Sequence, residues 1–125
     1  MDDVSIMLER ADEKLKAARM LLEADMYSDA VSRAYYAMLY AARALLSTKG
    51  IHPKTHKGVM AELASQYVKT GKMDRETFQS FASSQEDRED ADYGLLADMT
   101  QEEAVRVTGC AEAFLEKIRA LIEKG

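Results

Sequence analysis

Apolar residues recur along most of this chain with a helical period. From Asp3 to Glu23, Val4, Leu8, Ala11, Leu15, Ala18 and Leu22 fall alternately four and three residues apart, which lays one narrow apolar stripe along a helix. Asp2 and Asp3 stand at its start, where the helix dipole favours carboxylates. A short link over 24–27 turns the chain. A second helix is predicted from Ser28 to Lys49, with Ser28 as N-cap and Gly50 as C-cap. Its middle is apolar nearly all round, so it is covered on several sides by its own core, or on one side by that core and on another by a partner chain. The loop over 51–54 holds the only proline, Pro53. A third helix is expected from Thr55 to Thr70, with Met60, Leu63, Ala64, Tyr67 and Val68 facing inward and Gly71 ending it. A fourth runs from Asp74 to Gly94. The fifth opens at Thr100, which forms a capping box with Glu103, and Met99 is placed to staple onto Ala104. Its stripe is Ala104, Thr108, Ala111, Leu115, Ile118 and Ile122.

Helices of this length with short connections predict an all-α fold, an up-and-down antiparallel bundle of four to five helices. The 125 residues suit one domain over 1–125 with one core. No internal repeat, low-complexity tract or interdomain linker interrupts it. The acidic start has no apolar leader pattern, and the longest apolar run, 34–46, is broken by Arg43 and too short for a bilayer. No membrane contact is therefore expected. A single cysteine, Cys110, excludes an internal disulfide framework and fits a reducing cytoplasm; beside the fifth helix's stripe it reads as a buried, inert thiol. The 17 Lys and Arg against 22 Asp and Glu give a net charge of -5, so any nucleic-acid contact needs a local patch.

Candidate chemistry is sparse. There is no Glu-x-x-His and no phosphate-cradling glycine motif, so no cofactor is expected. On the fourth helix, with Phe81 taken as the inward direction, Arg88 and Asp92 lie about 20° to either side of it. Glu86, Asp87 and Asp90 point to solvent. Arg88 and Asp92 thus share a half-buried face at i, i+4 spacing. Either they form an ion pair that satisfies the arginine, or they make a polar site with Tyr93 at the helix end. The acidic solvent face of this helix disfavours a phosphate backbone lying along it. On the second helix Arg33 and Tyr36 lie three apart, with Tyr40 one turn beyond. The tyrosines serve as core with their hydroxyls at the rim, or with Arg33 they contact a nucleotide or a partner protein. Lys49, His52, Lys54, His56 and Lys57 form the only basic cluster. It is a solvated loop suited to the second helix's C-terminal end, or a phosphate contact through Lys54, His56 and Lys57. His52 and His56 flank Pro53 without a third ligand, so no metal is expected.

The run Ser32-Arg33-Ala34-Tyr35-Tyr36-Ala37-Met38-Leu39-Tyr40-Ala41-Ala42 is similar to the second-helix signature of HEPN-domain proteins (higher eukaryotes and prokaryotes nucleotide-binding). His56-Lys57-Gly58-Val59 resembles that family's third-helix start. The stretches Tyr67 to Lys72 and Asp87 to Tyr93 resemble blocks of one small prokaryotic subgroup. These blocks follow the family's order and span nearly the whole chain, from about residue 5 to about residue 120.

The resemblance implies a four- to five-helix bundle that forms a homodimer. It also implies a partner, a minimal nucleotidyltransferase, in toxin–antitoxin pairs where the HEPN protein is the toxin, a ribonuclease that needs no metal. The family's ribonuclease motif places a polar residue and then a histidine after an arginine. Arg88 matches the arginine and Glu89 the polar position, but positions 93 to 95 are Tyr93, Gly94 and Leu95. General acid–base cleavage loses its best group there, and a tyrosine with a pKa of about 10 is a poor substitute. The expectation is therefore a nucleotide- or RNA-binding, toxin-type component that works with a nucleotidyltransferase. An Arg88-dependent ribonuclease and a non-catalytic dimeric scaffold are the alternatives. In some such pairs the nucleotidyltransferase adds AMP to a tyrosine near the motif, a position to which Tyr93 is nearest.

Overall fold

The Asp2 carboxylate accepts the Ser5 N–H at 2.8 Å and starts α1, Asp3–Glu23. That bond holds the Asp2 carboxyl below its ordinary pKa. The computed structural model describes residues 2–93 and 99–125, with the Tyr93 side chain outside the described set. Asp25 turns the chain with a left-handed φ of 61°, and the Met26 N–H returns to the Leu21 carbonyl at 2.9 Å. Such a closure satisfies carbonyls that a helix end leaves bare.

The second helix, α2, spans Tyr27–Ser47. It begins before the expected cap: Met26 occupies the N-cap position with no side-chain bond, and Ser28 lies within the first turn. The tight return after Asp25 starts the helix early. At the other end the helix stops at Ser47, and Gly50 adopts φ 71° while the Ile51 N–H bonds to the Leu46 carbonyl at 3.1 Å.

The expected third helix divides. α3 covers His56–Leu63 and passes into a π turn over Ala64–Val68, where the Lys69 N–H reaches back five residues to the Ala64 carbonyl at 2.9 Å. Its inward line is Val59, Leu63 and Tyr67, four apart and buried, while Met60, Ala64 and Val68 are only half-buried. Gly71 ends this segment with φ 78°, as expected.

Asp74 caps α4, Arg75–Tyr93, by accepting the Thr77 N–H at 3.0 Å. Gly94, the expected end of that helix, lies outside the described residues. Thr100 caps α5, Gln101–Lys124, by accepting the Glu103 N–H at 3.1 Å, and Met99 and Ala104 are both buried there.

The five helices form a bundle in which α2 packs against each of the other four. Half of the buried α2 residues are alanines, at positions 30, 34, 37, 41, 42 and 44. Small side chains let neighbouring helices approach closely, which brings groups on α3 and α4 within reach of the α2 tyrosines. Of the two coverings the all-round apolar pattern allowed for α2, its own chain supplies the covering of these residues. Surface pairs Arg19–Glu112 and Arg119–Asp12 link α1 to α5, and Arg106–Asp87 links α5 to α4. Exposed pairs of this kind contribute little to stability. Cys110 is half-buried against the core rather than fully enclosed, because it sits at the edge of the α5 stripe. Among the described residues there is no strand, and no helix is long and apolar enough to cross a membrane.

Candidate functional site

Arg88, Asp92, Tyr36 and His56 come together where α2, α3 and α4 meet. A line of rings organises the junction. Phe114 of α5 lies 5.0 Å from Phe81 of α4, and Phe81 stacks on Tyr35 of α2 at 5.9 Å with 16° between planes. Tyr36 meets Tyr35 edge-on at 5.4 Å. The buried end of this line is rigid core; Tyr36, half-buried, is its outer end.

Arg88 lies over both tyrosines. Its guanidinium carbon is 5.4 Å from the Tyr35 ring centre and 5.6 Å from that of Tyr36, distances at which a cation is attracted to the ring faces. The residue is 8% exposed, so its charge is largely withdrawn from water. One turn on, the Asp92 carboxylate accepts from its Nη1 at 3.4 Å, and the Ser32 hydroxyl donates to the same oxygen at 3.4 Å. Burial opposes the guanidinium's charge, but Tyr36, Asp92 and Tyr35 outweigh it and raise its pKa. Burial pushes the Tyr35 phenol up to about 12 even though Arg88 pulls it down, so Tyr35 stays neutral. Its hydroxyl donates to Gln85 at 3.5 Å.

The first residue of α3 completes the cluster. The His56 ring lies 5.8 Å from Tyr35 and 6.1 Å from Tyr36, on the same two rings that Arg88 covers. Burial, then the positive charges of Arg88 and Arg43, hold its imidazole below the ordinary histidine pKa. It is therefore mainly neutral at pH 7. Its position is set locally. Arg43 of α2 donates to the Pro53 carbonyl at 2.8 Å, and Thr55 accepts the Gly58 N–H at 2.9 Å. A Cβ at Gly58 would lie 3.0 Å from the Thr55 hydroxyl and 3.1 Å from the Pro53 ring, so the turn closes tightly only around glycine.

The structure thus brings together Arg88, Asp92, Tyr36 and His56, four of the residues singled out from sequence. Arg88 and Asp92 make the expected pair, and the tyrosines are both core and site. Tyr93 ends α4 one residue after Asp92, but its side chain lies outside the described residues. Arg33 does not join them. It is exposed and lines a groove with Glu13, Lys14 and Met20 of α1. The basic cluster comes apart. Lys54 and Lys57 are exposed on either side of His56. Lys49 instead sits 4.6 Å over the Tyr67 ring and bonds to Gln66.

Tyr35, Gln85, Ser32 and Arg43 are further members that sequence reasoning passed over. A signal for three of them was present: Ser32, Tyr36 and Arg43 recur at spacings of four and seven on α2, and Gln85 precedes Arg88 by three on α4. Among the described residues no three His, Cys, Asp or Glu side chains gather as a metal site would require. A cavity of about 460 Å³ lies elsewhere, where α2 and α5 end, lined by Lys49, Tyr67, Lys72 and Lys124 among others. Its lysines answer the negative ends of those two helices.

Several known proteins share this chain's sequence or shape. A Methanocaldococcus jannaschii protein named "Putative toxin MJ0142" is 36% identical over 113 residues, which cover 90% of this chain and 77% of that protein. A Thermotoga maritima protein named only as UPF0332 is 39% identical over 114 residues, covering 91% of this chain and 86% of the relative. The crystal structure of TT1696 from Thermus thermophilus superposes with a TM-score of 0.82 over 97% of this chain and 99% of that one. At 17% identity that likeness speaks for the fold alone. The sequence model of the HEPN domain matches residues 4–121, which take in α1 to α5 and every residue of the Arg88 cluster, and the chain belongs to the HEPN-domain family.

Proposed function

We propose that this HEPN protein is the toxin-type member of a two-component pair and binds the phosphate and base of a nucleotide or RNA strand at the Arg88 cluster. The observation that carries this reading is the buried Arg88 guanidinium laid over the Tyr35 and Tyr36 rings, with Asp92 exposed beside it. A held guanidinium suits a phosphate, and the half-buried Tyr36 ring beside it suits stacking of a base. Lys54 and Lys57 lie exposed beside His56 and suit neighbouring phosphates in a chain that is otherwise acidic. The toxin names of its Methanocaldococcus jannaschii relatives support the toxin part of the reading.

The partner in this reading is a minimal nucleotidyltransferase, with which the protein acts as a homodimer in the cytoplasm. Tyr93, at the end of the helix that holds Arg88, is the residue that partner would modify with AMP. The test is co-expression with a minimal nucleotidyltransferase from the same genome, followed by intact mass and light scattering. A stable complex, a dimeric mass and an AMP adduct that disappears in Tyr93→Phe are expected. Separate chains and an unmodified mass would remove the partner from the reading. Separately, RNA binding that survives Arg88→Ala would remove the site.

A further inference from the structure

We infer that the cavity where α2 and α5 end is a binding site for a small phosphate monoester, with the phosphate held among Lys49, Lys72 and Lys124 and an apolar body against Leu121 and Ile122. The site shares no residue with the Arg88 cluster and does not rest on the RNA reading. Its volume of about 460 Å³ suits a small molecule.

The charge balance points to a doubly charged anion. The chain carries a net charge of -5, yet three lysines and no Asp or Glu side chain line this cavity. Among the described residues none of the three lysines pairs with a carboxylate. The end of α2 does not occupy them either, because its carbonyls are bonded locally. Leu45 accepts the Thr48 hydroxyl at 2.6 Å, Leu46 the Ile51 N–H at 3.1 Å and Ser47 the Gly50 N–H at 3.0 Å. Each helix end contributes a field of about half a negative charge, so three ammoniums leave an excess of about two positive charges. A phosphate monoester carries about -1.5 to -2 at neutral pH. Lysine presents a compact charge rather than arginine's planar fork, so the site reads charge rather than the flat outline of a carboxylate.

The walls are set by the segment 64–72, whose stretch from Tyr67 to Lys72 takes no part in the Arg88 cluster. The π turn over Ala64–Val68 holds Tyr67 beneath Lys49, whose ammonium stands 4.6 Å over the ring and bonds to Gln66. Such turns are rare and recur at functional sites. Gly71 then turns the chain at φ 78°, and the Lys72 N–H returns to the Tyr67 carbonyl at 2.9 Å, which brings Lys72 to the same cavity. The Tyr67 ring is 4% exposed and has Lys49 over one face, so it offers no platform for a nucleobase. The open apolar surface belongs to Leu121 and Ile122, both half-buried, and it suits an aliphatic body.

The test is calorimetric titration of the full chain with hexyl phosphate, inorganic phosphate, hexanoate and hexanol. Hexyl phosphate is expected to bind at least about tenfold more tightly than inorganic phosphate, which lacks the apolar body, or hexanoate, which lacks the second charge. Hexanol should not bind. Lys72→Gln combined with Lys124→Gln, both at exposed positions, should weaken hexyl phosphate about tenfold. Leu121→Gln, shown by circular dichroism to keep its helices, should bring hexyl phosphate down to the level of inorganic phosphate. Equal affinity for hexyl phosphate and hexanoate overturns the inference, as does equal affinity for hexyl and inorganic phosphate in the wild type. Hexyl phosphate binding that survives the lysine pair but is lost in Arg88→Ala places the phosphate at the Arg88 cluster and also overturns it. So does the absence of binding to every probe.

Discussion

Arg88 and Asp92 stand one helical turn apart on α4, the guanidinium buried and the carboxylate turned toward solvent, with 3.4 Å between their nearest atoms. That asymmetry predicts opposite effects of Asp92→Asn on two properties. The substitution weakens the compensation of a largely buried charge, so stability should fall. Asp92 remains partly solvated and the contact is long, which limits the loss to about 1 kcal/mol. The carboxylate also competes with any phosphate for the same guanidinium, so its removal should tighten binding of phosphate or RNA. Urea unfolding and anisotropy on the same preparation read the two effects. A variant that is less stable and binds more weakly would mean that Asp92 orients Arg88 rather than competing for it.

His56 predicts a pH dependence of stability. Folding lowers its pKa through burial and the charges of Arg88 and Arg43, so the unfolded chain binds the proton more tightly. Stability then increases with pH where the two states differ. The contribution is complete above the ordinary histidine pKa of about 6.5 and is lost as pH falls from there through the folded value. Urea midpoints at pH 8 and at pH 5 should therefore differ more for wild type than for His56→Gln. Asp2 and Asp74, whose pKa values are also lowered, are present in both proteins, and the difference between them isolates the histidine. Equal pH profiles would show that His56 meets the same surroundings folded and unfolded.

How far the sequence reaches depends on whether a relationship is local. Phe81 and the helical period place Arg88 and Asp92 on one face correctly, since that requires only α4 itself. The caps at Asp2, Asp74 and Thr100 are local in the same way. Ser28 fails as a cap because the turn at Asp25 decides where α2 begins, and that turn depends on how α1 and α2 pack. The π turn after Leu63 has no periodic signature over so few residues. The meeting of His56 with Arg88 lies furthest from view. It depends on a loop tied down by Arg43 and Pro53 and on two helices reaching the same tyrosines. A search along the chain looks for neighbours of Arg88 close in sequence, whereas the structure brings His56 to the same two tyrosines from α3.

Thr108 is buried in α5 at 3% exposure, and its hydroxyl has no hydrogen-bond partner among the described residues. A buried hydroxyl without a partner is destabilising relative to an apolar group of the same shape. Thr108→Val should therefore raise stability by about 1 kcal/mol, seen as a higher urea midpoint with an unchanged slope. Nothing at the Arg88 cluster should change, so RNA binding should match wild type. A less stable variant would mean that an ordered water satisfies the hydroxyl in solution.

Two glycines within helices predict opposite outcomes for the same substitution. Gly109 lies exposed in α5, and a Cβ there would meet nothing within 4 Å. Its φ is not left-handed, so alanine fits the backbone it already has. Gly109→Ala removes conformational freedom from the unfolded chain and should stabilise the protein by about 0.5–1 kcal/mol. Gly58 lies in the first turn of α3, where the added carbon would press on Thr55 and Pro53. One contact is with the capping oxygen and the other with a stiff ring, so relief requires the loop to move. Gly58→Ala should destabilise by about 1–2 kcal/mol through the loosened cap. The same movement displaces His56, two residues earlier, from the tyrosine rings. Gly58→Ala should therefore flatten the pH dependence of stability as His56→Gln does, whereas Gly109→Ala keeps it. Thermal melts of the two variants at pH 8 and pH 5 read both effects. A Gly58→Ala protein that is destabilised but keeps the wild-type pH profile would show that the loop yields without carrying His56 away.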